Sequence, residues 1–199
     1  MTANDYQPDP PAGAMDRMIM AASGDEPIFD TVTKDFLRVG YHELKDRTRR
    51  GGLLDFASLG QNHPWLYRLA FRTRGLIRDA EGEILNVDRH VAALRFLPEY
   101  LGEANQFEML RLVEPAHGTF HPNISPGGAI CVEIYAGQPL VEICQSLHDL
   151  FRWRLRQYDE RDALNQDACA WGRENIDRPI DDRPLFGQRL EVNWQSADE

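Results

Sequence analysis

Leu37, Tyr41 and Leu44 recur at spacings of four and three within about Thr33–Arg50, the stripe of a helix, and Gly51-Gly52 then supplies a stop. A stronger stripe runs from about Leu140 to Arg156, where Ile143, Cys144, Leu147, Leu150 and Phe151 share one face. Between the two helices, segments 53–58, 65–74, 90–97 and 107–113 are rich in Leu, Phe, Val and Tyr, with turn material such as Asp79-Ala80-Glu81-Gly82 dividing them. Short strands on short turns predict an antiparallel meander. Residues 114–138 lose all regular period and carry Pro115, Pro122, Pro126, Gly127, Gly128 and Gly137. Beyond Tyr158 the chain is polar, with short helical segments and a Pro/Asp-rich end. The fold class predicted is α+β: an N-terminal helix, a four-stranded antiparallel meander, an irregular loop, a long second helix and an extra C-terminal segment.

Residues 1–29 read as a flexible acidic arm, with Pro8, Pro10, Pro11, Gly13, Gly24 and Pro27 and few large apolar groups. Residues 30–157 then form the core domain. Residues 158–199 form an extension that Trp171 and Trp194 predict to pack onto that core. At 199 residues and 42% hydrophobic content, one packed core is expected.

The formal charge of −10 argues against an extended nucleic-acid interface, which needs a basic face. No run of eighteen apolar residues is present, so no membrane span is expected, and the start lacks the pattern of a secretory signal. Three cysteines without a CxxC pair predict neither a disulfide framework nor a metal site, and imply a reduced, cytoplasmic setting. The acidic total conceals a basic first helix: residues 34–50 hold six bases and three acids. At about 100° per residue, Lys34, Arg38, Lys45 and Arg49 fall within an arc of about 60°. That arc is either a solvated face or a docking face for an acidic partner. Lys34 and Lys45 are also the only lysines among the 22 basic residues.

Function is sought in the irregular stretch, because a structureless segment inside a compact domain is usually functional. Cys144, on the apolar face of the second helix, and Cys169 read as small buried hydrophobes. Cys131 lies off any periodic apolar face, in His121-Pro122-Asn123-Ile124-Ser125-Pro126-Gly127-Gly128-Ala129-Ile130-Cys131. His-Pro-Asn-Ile, a glycine pair and Ile-Cys, with Asn123 eight residues before Cys131, resembles the active-site signature of the ubiquitin-conjugating enzymes, the E2 family. Four fixed positions recur by chance on the order of once per million windows. The order of elements is similar too, and Phe96-Leu97-Pro98-Glu99-Tyr100 stands where the family has its Phe-Pro-x-x-Tyr-Pro strand end. The resemblance covers about residues 33–157. Composition and tail look more like the prokaryotic E2-like proteins encoded beside an E1-like activator and a ubiquitin-like protein, some of which act in antiphage defence.

The resemblance implies the ubiquitin-conjugating (UBC) fold and an acyl transfer through a thioester on Cys131. The partners implied are an E1-like activating enzyme, a ubiquitin-like protein and a target protein's amine. ATP would be used by the activator, and no cofactor by this chain. Asn123 would stabilise the oxyanion or organise the loop, and His121 and Pro122 would shape it. Glu133, in Val132-Glu133 where the family commonly has Leu-Asp, would be an acidic helper. Lys34, Arg38, Lys45 and Arg49 would meet the activator. Gly137-Gln138-Pro139 lacks the family's loop Trp, and Tyr100-Leu101 replaces Tyr-Pro, which departs from the ligase-docking pattern. The resemblance implies a downstream acid that orients the incoming lysine, for which Asp159, Glu160 and Asp162 are candidates by position only.

Two other readings share these residues. One is a catalytically silent module binding ubiquitin-like proteins, against which Cys131 itself argues. The other is a cysteine hydrolase, which needs His117, His121 or His148 as a base within reach of Cys131. Codon usage accounts for most of the arginine bias. A reactive acyl group on Cys131 would supply a second reason for few lysines.

Overall fold

The computed structural model describes residues 27–59, 64–115 and 119–187. The predicted arm through residue 26, His117, Trp194 and the end of the predicted extension lie outside these ranges.

Helix α1 spans Thr31–Thr48. It starts two residues before the predicted Thr33, because the Asp30 carboxylate accepts the Thr33 N–H at 2.8 Å and the Thr33 hydroxyl at 3.1 Å, which caps the helix. Leu37 and Leu44 are buried on its inner face, each contributing about 2 kcal/mol of apolar burial. Strands β1 (Leu54–Leu59) and β2 (Leu66–Phe71) follow. Next come β3 (Gly75–Arg78) and β4 (Ile84–Val87), then β5 (His90–Arg95). A single turn of helix, α2 (Gln106–Met109), leads into β6 (Leu110–Glu114).

The sheet order is β1-β2-β5-β6, antiparallel throughout, as a meander requires. The hairpin β3–β4 is a separate two-stranded unit inserted between β2 and β5, with Asp79–Gly82 as its turn. The pattern of apolar residues did not disclose it, since each strand has only four residues and β4 buries none of them fully.

Helix α3 covers Leu140–Phe151, and its buried face is the predicted one, Cys144 included. It packs with α1 against the sheet in one apolar core. It is shorter than the stripe to Arg156 implied. Trp153 adopts φ 66°, and the N–H groups of Arg154 and Leu155 both turn back to the Asp149 carbonyl, at 2.8 and 2.9 Å. A left-handed tryptophan is strained by the order of a kilocalorie per mole; here its indole is 1% exposed, and its burial offsets that strain.

Helix α4, Gln166–Asn175, is capped by Asn165, whose Oδ1 accepts the Ala168 N–H at 3.1 Å. A side chain at Gly172 would collide with the Trp153 ring, so only glycine lets α4 lie flat on it. Trp171 also meets Trp153 and Phe120 edge-on, at centroid distances of 6.0 and 5.5 Å. Leu76, Phe120, Trp153 and Ala168 form a second small core, in which the inserted hairpin and the tail helix meet behind the irregular loop. Asp181, 3% exposed, ties the following segment down: its carboxylate accepts from the Arg74 N–H at 2.9 Å and from the Arg183 guanidinium at 2.6 Å.

Candidate active site

The loop carrying Cys131 is fastened to the hairpin at its start and to the sheet further on. Phe120 N–H donates to the Leu76 carbonyl of β3 at 2.9 Å. A turn at Ser125–Gly128 lets Ile124 bridge Ile130, and the Leu112 N–H of β6 donates to the Gly128 carbonyl at 2.8 Å. Gly128 has φ 84°, and a Cβ there would lie 2.9 Å from the Leu112 carbonyl oxygen, so the loop reaches β6 only with glycine at this point. The edge of the sheet is thereby covered by the loop.

Asn123 and Cys131 are bound to each other twice. Cys131 N–H donates to the Asn123 carbonyl at 2.8 Å, and Asn123 Nδ2 donates to the Cys131 carbonyl at 2.9 Å. Asn123 Oδ1 accepts a third bond, from the Gln157 N–H at 2.7 Å. Its side chain therefore joins the cysteine loop to the segment after α3.

His121 is 2% exposed and its Nδ1 accepts the Asn123 N–H at 3.1 Å, so the neutral ring carries its proton on Nε2. Burial pushes its pKa down to about 3, aided by His90 and Arg156. The carbonyls of Leu150 and Leu155 oppose that fall, but neither forms a hydrogen bond with Nε2. A buried neutral ring whose Nδ1 lone pair is already engaged has no free nitrogen to take a proton from Cys131. Pro122 is buried, and its carbonyl accepts the Asn165 N–H at 3.2 Å.

Cys131 itself is half-buried, and desolvation raises its thiol pKa. Among the described residues none hydrogen-bonds its Sγ. From Ile130 to Tyr135 burial alternates, so Val132 and Ile134 point into the core while Glu133 and Tyr135 face outward with Cys131. Of the bases a hydrolase would need, His148 is fully buried, with Nδ1 at 2.9 Å from the Thr73 hydroxyl and Nε2 at 3.0 Å from the Arg183 carbonyl. Both of its ring nitrogens are occupied away from Cys131. His117 lies outside the described residues.

The downstream acids are already partnered in part. Asp159 is held by Arg161 at 2.5 Å, which keeps its carboxyl below the ordinary range, and Glu160 pairs with Arg173; Asp162 is exposed. On α1, Lys34 is exposed, Arg38 pairs with Asp35 at 2.9 Å, Arg49 with Asp46 at 3.6 Å, and Lys45 lies over the Tyr41 ring at 5.5 Å. The four bases share one flank of the helix, but two are partly neutralised by acids three residues before them. Gln157 carried no signal in the sequence; its position at the junction is visible only once the chain is folded. Among the described residues no group of side chains suits a metal ion, and no helix is long and apolar enough to cross a membrane.

No protein-family model matches the sequence, and no curated protein does. Solved structures do. S. cerevisiae Ubc12 superposes with a TM-score of 0.51 at 14% identity, over 89% of this chain and 96% of that one. The chain has the ubiquitin-conjugating fold. UbcA1 from Agrocybe aegerita, a ubiquitin-conjugating enzyme E2, matches with a TM-score of 0.43 and 13% identity, over 61% of this chain and 83% of that one. Within the UBC fold, helix α1, the meander, the cysteine loop and helix α3 take the order predicted. The hairpin β3–β4 and helix α4 are the parts the sequence pattern did not describe in detail.

Proposed function

We propose that this chain is an E2-like conjugating enzyme. It accepts the C-terminal glycyl carbonyl of a ubiquitin-like protein from an E1-like activator as a thioester on Cys131, and passes it to an amine of a target protein. The observation that carries this reading is the reciprocal bonding of Asn123 and Cys131, inside a loop whose sequence resembles the family's His-Pro-Asn and Cys signature.

In the charging step Cys131 thiolate attacks the activator's thioester carbonyl. A new C–S bond forms as the old one breaks, and the activator's thiolate leaves. One thioester replaces another, so the free energy changes little. In the transfer step an amine nitrogen attacks the same carbon, the C–N bond replaces the C–S bond, and the amine's proton passes to solvent while Cys131 leaves as thiolate. Both steps pass through a tetrahedral oxyanion. Asn123 Nδ2 has two hydrogens and gives one to the Cys131 carbonyl; the other serves as the oxyanion donor.

Desolvation of Cys131 raises its thiol pKa, which makes it a slower leaving group toward water and amine alike. Glu133, facing outward beside it, is the acidic helper. Lys34, Arg38, Lys45 and Arg49 form the activator's docking flank. The prokaryotic branch, with a cytoplasmic setting and an antiphage role, belongs to the same proposal and rests on the arginine-rich composition and the tail.

The test is charging by the E1-like activator encoded with this chain, with ATP and the ubiquitin-like protein, followed on a non-reducing gel. A thiol-labile adduct lost in Cys131→Ala and kept in Cys144→Ala supports the proposal. No adduct with an activator that is itself functional overturns it.

A further inference from the structure

The outer side of helix α1 combines apolar and basic groups that no other described element covers. Val32 is 70% exposed and Val39 63%, and Ile28, just before the helix, is 92% exposed. Val32 and Val39 project within about 20° of each other, and Arg38 and Arg49 lie about 80–100° round the helix from Val39. An apolar seam therefore runs beside the basic flank. Among the described residues no ion pair holds Lys34, Lys45 or Arg50, and those of Arg38, Arg47 and Arg49 are surface pairs within the helix itself, which yield readily to a stronger partner.

The sequence attaches a complementary segment directly to this surface. Residues 1–26 carry five acids, Asp5, Asp9, Asp16, Asp25 and Glu26, against Arg17 alone, a side-chain charge of −4, whereas residues 34–50 carry +3 from six bases and three acids. Between Asp16 and Asp25 stand Met18, Ile19 and Met20, large and apolar. The segment enters α1 at its N-terminus, beside Val32 and Lys34. Laid back along the helix, residues 16–26 span up to about 36 Å, and α1 is about 27 Å long. Asp16 thus reaches the level of Lys45 and Arg49 while Asp25 and Glu26 stay near Lys34 and Arg38.

We propose that residues 16–26 dock in cis along the outer side of α1, with Met18, Ile19 and Met20 on the Val32–Val39 seam and the acids on the basic flank. The docked segment occupies the surface an acidic partner would use. On the conjugating reading above, on which this last step rests, it competes with the activator and slows charging until it is displaced.

Both lysines of the chain stand on this helix, so zero-length carbodiimide coupling, which joins a carboxylate to a lysine amine in contact with it, reads the docking directly. Peptide mapping of the full chain at low ionic strength should find Asp16 coupled to Lys45; Asp25 and Glu26 lie near Lys34 through chain connection alone, so Asp16 is the diagnostic acid. In Val39→Asp, which alters an exposed position, that product should fall at least about threefold, since the seam loses an apolar contact and gains a repelling charge. An equal mixture of ordinary and heavy-isotope-labelled chain should give same-isotope pairs only. Absence of the Asp16–Lys45 product, its persistence in Val39→Asp, or mixed-isotope pairs, which would make the occupant a second copy, would each overturn the docking in cis. With the E1-like activator, ATP and the ubiquitin-like protein at low salt, Asp16→Asn combined with Asp25→Asn and Glu26→Gln should charge Cys131 about threefold or more faster than wild type. Slower charging would make the segment a guide for the activator and overturn the competition. If wild type takes no thioester on Cys131 at all, the conjugating reading fails, and the cross-links alone decide the docking.

Discussion

Asn123 Nδ2 lies 2.9 Å from the Cys131 carbonyl oxygen, and its Oδ1 lies 2.7 Å from the Gln157 nitrogen, so the two ends of one amide do different work. Asn123→Asp separates them. It retains the acceptor facing Gln157 and removes the donor facing Cys131 and the oxyanion. Loss of one oxyanion donor typically lowers turnover by about 100- to 1000-fold. Loss of one side-chain hydrogen bond typically lowers stability by about 1–3 kcal/mol. Transfer measured in a single turnover should therefore fall by at least about 100-fold, while the variant still melts cooperatively within a few degrees of wild type. A drop in stability with transfer intact would reduce Asn123 to a loop organiser alone.

His121 and His90 predict how the fold fails in acid. His90 is 1% exposed, its Nδ1–H donating to the Thr73 carbonyl at 3.2 Å and its ring stacked on Phe151 at 4.5 Å; burial pushes its pKa down to about 4. His121 is pushed down to about 3. Both rings take a proton in the unfolded chain near pH 6.5 and refuse it in the folded one. The stability they contribute is complete above pH 6.5 and is lost as pH falls from there toward 4. Each can remove up to about 1.4 kcal/mol per pH unit in that window. Protonated His121 would also turn a donor toward the Asn123 N–H and open the cysteine loop. Urea midpoints at pH 7, 6, 5 and 4 should decline along this course, and the slope should flatten in His90→Gln. A flat profile between pH 6.5 and 4.5 would contradict the buried, neutral assignment.

The helices were legible because their stripes hold the helical spacing: Leu37, Tyr41 and Leu44 repeat over about two turns, as do Ile143, Leu147 and Leu150. The cysteine loop was legible for a different reason, its residue types standing at fixed spacing with no period at all. The hairpin β3–β4 was not, since its four-residue strands bury little and leave no alternation to read. Nor was the end of α3: nothing local to Arg152-Trp153-Arg154 forbids a helix, and the turn there depends on Gly172 and Trp171, nearly twenty residues away, receiving the indole. Gln157 was silent because its part at the junction is a backbone bond to Asn123, which leaves no pattern of residue types.

The basic flank of α1 should govern charging and nothing later. Lys34 is exposed, and Arg38 is tied only to the exposed Asp35, a surface pair typically contributing about 0.3–0.5 kcal/mol and yielding readily to a partner's carboxylate. Lys34→Glu with Arg38→Glu reverses the charge where an acidic activator surface would approach. The charging rate is expected to fall by about tenfold or more at low ionic strength and to lose most of its salt dependence, while transfer from preformed acyl-Cys131 to lysine stays as in wild type. Unchanged charging at low salt would remove this flank from the activator's footprint.

The scarcity of lysine becomes a chemical statement if Cys131 carries an acyl group. Both lysines lie on α1, one of them half-buried over Tyr41, and the chain offers no other lysine amine. Glu133 provides the place to test this, because it faces outward two residues beyond Cys131, on the same side of an extended segment. In Glu133→Lys, acylated on Cys131 by exchange with the 2-mercaptoethanesulfonate thioester of a Gly-Gly peptide, the new amine and the thioester share one short stretch of backbone. Effective molarities of well-oriented intramolecular reactions reach about 10⁵ M, so even poor alignment should let self-transfer outrun attack by dissolved lysine. The expected product keeps the mass of the acylated protein but survives thiol, with the peptide mapped to residue 133 by proteolysis. Glu133→Arg, which adds the charge without a nucleophilic amine, should form none. Should Glu133→Lys remain fully thiol-labile, self-modification would be no hazard beside this site, and the arginine bias would be left to codon usage alone.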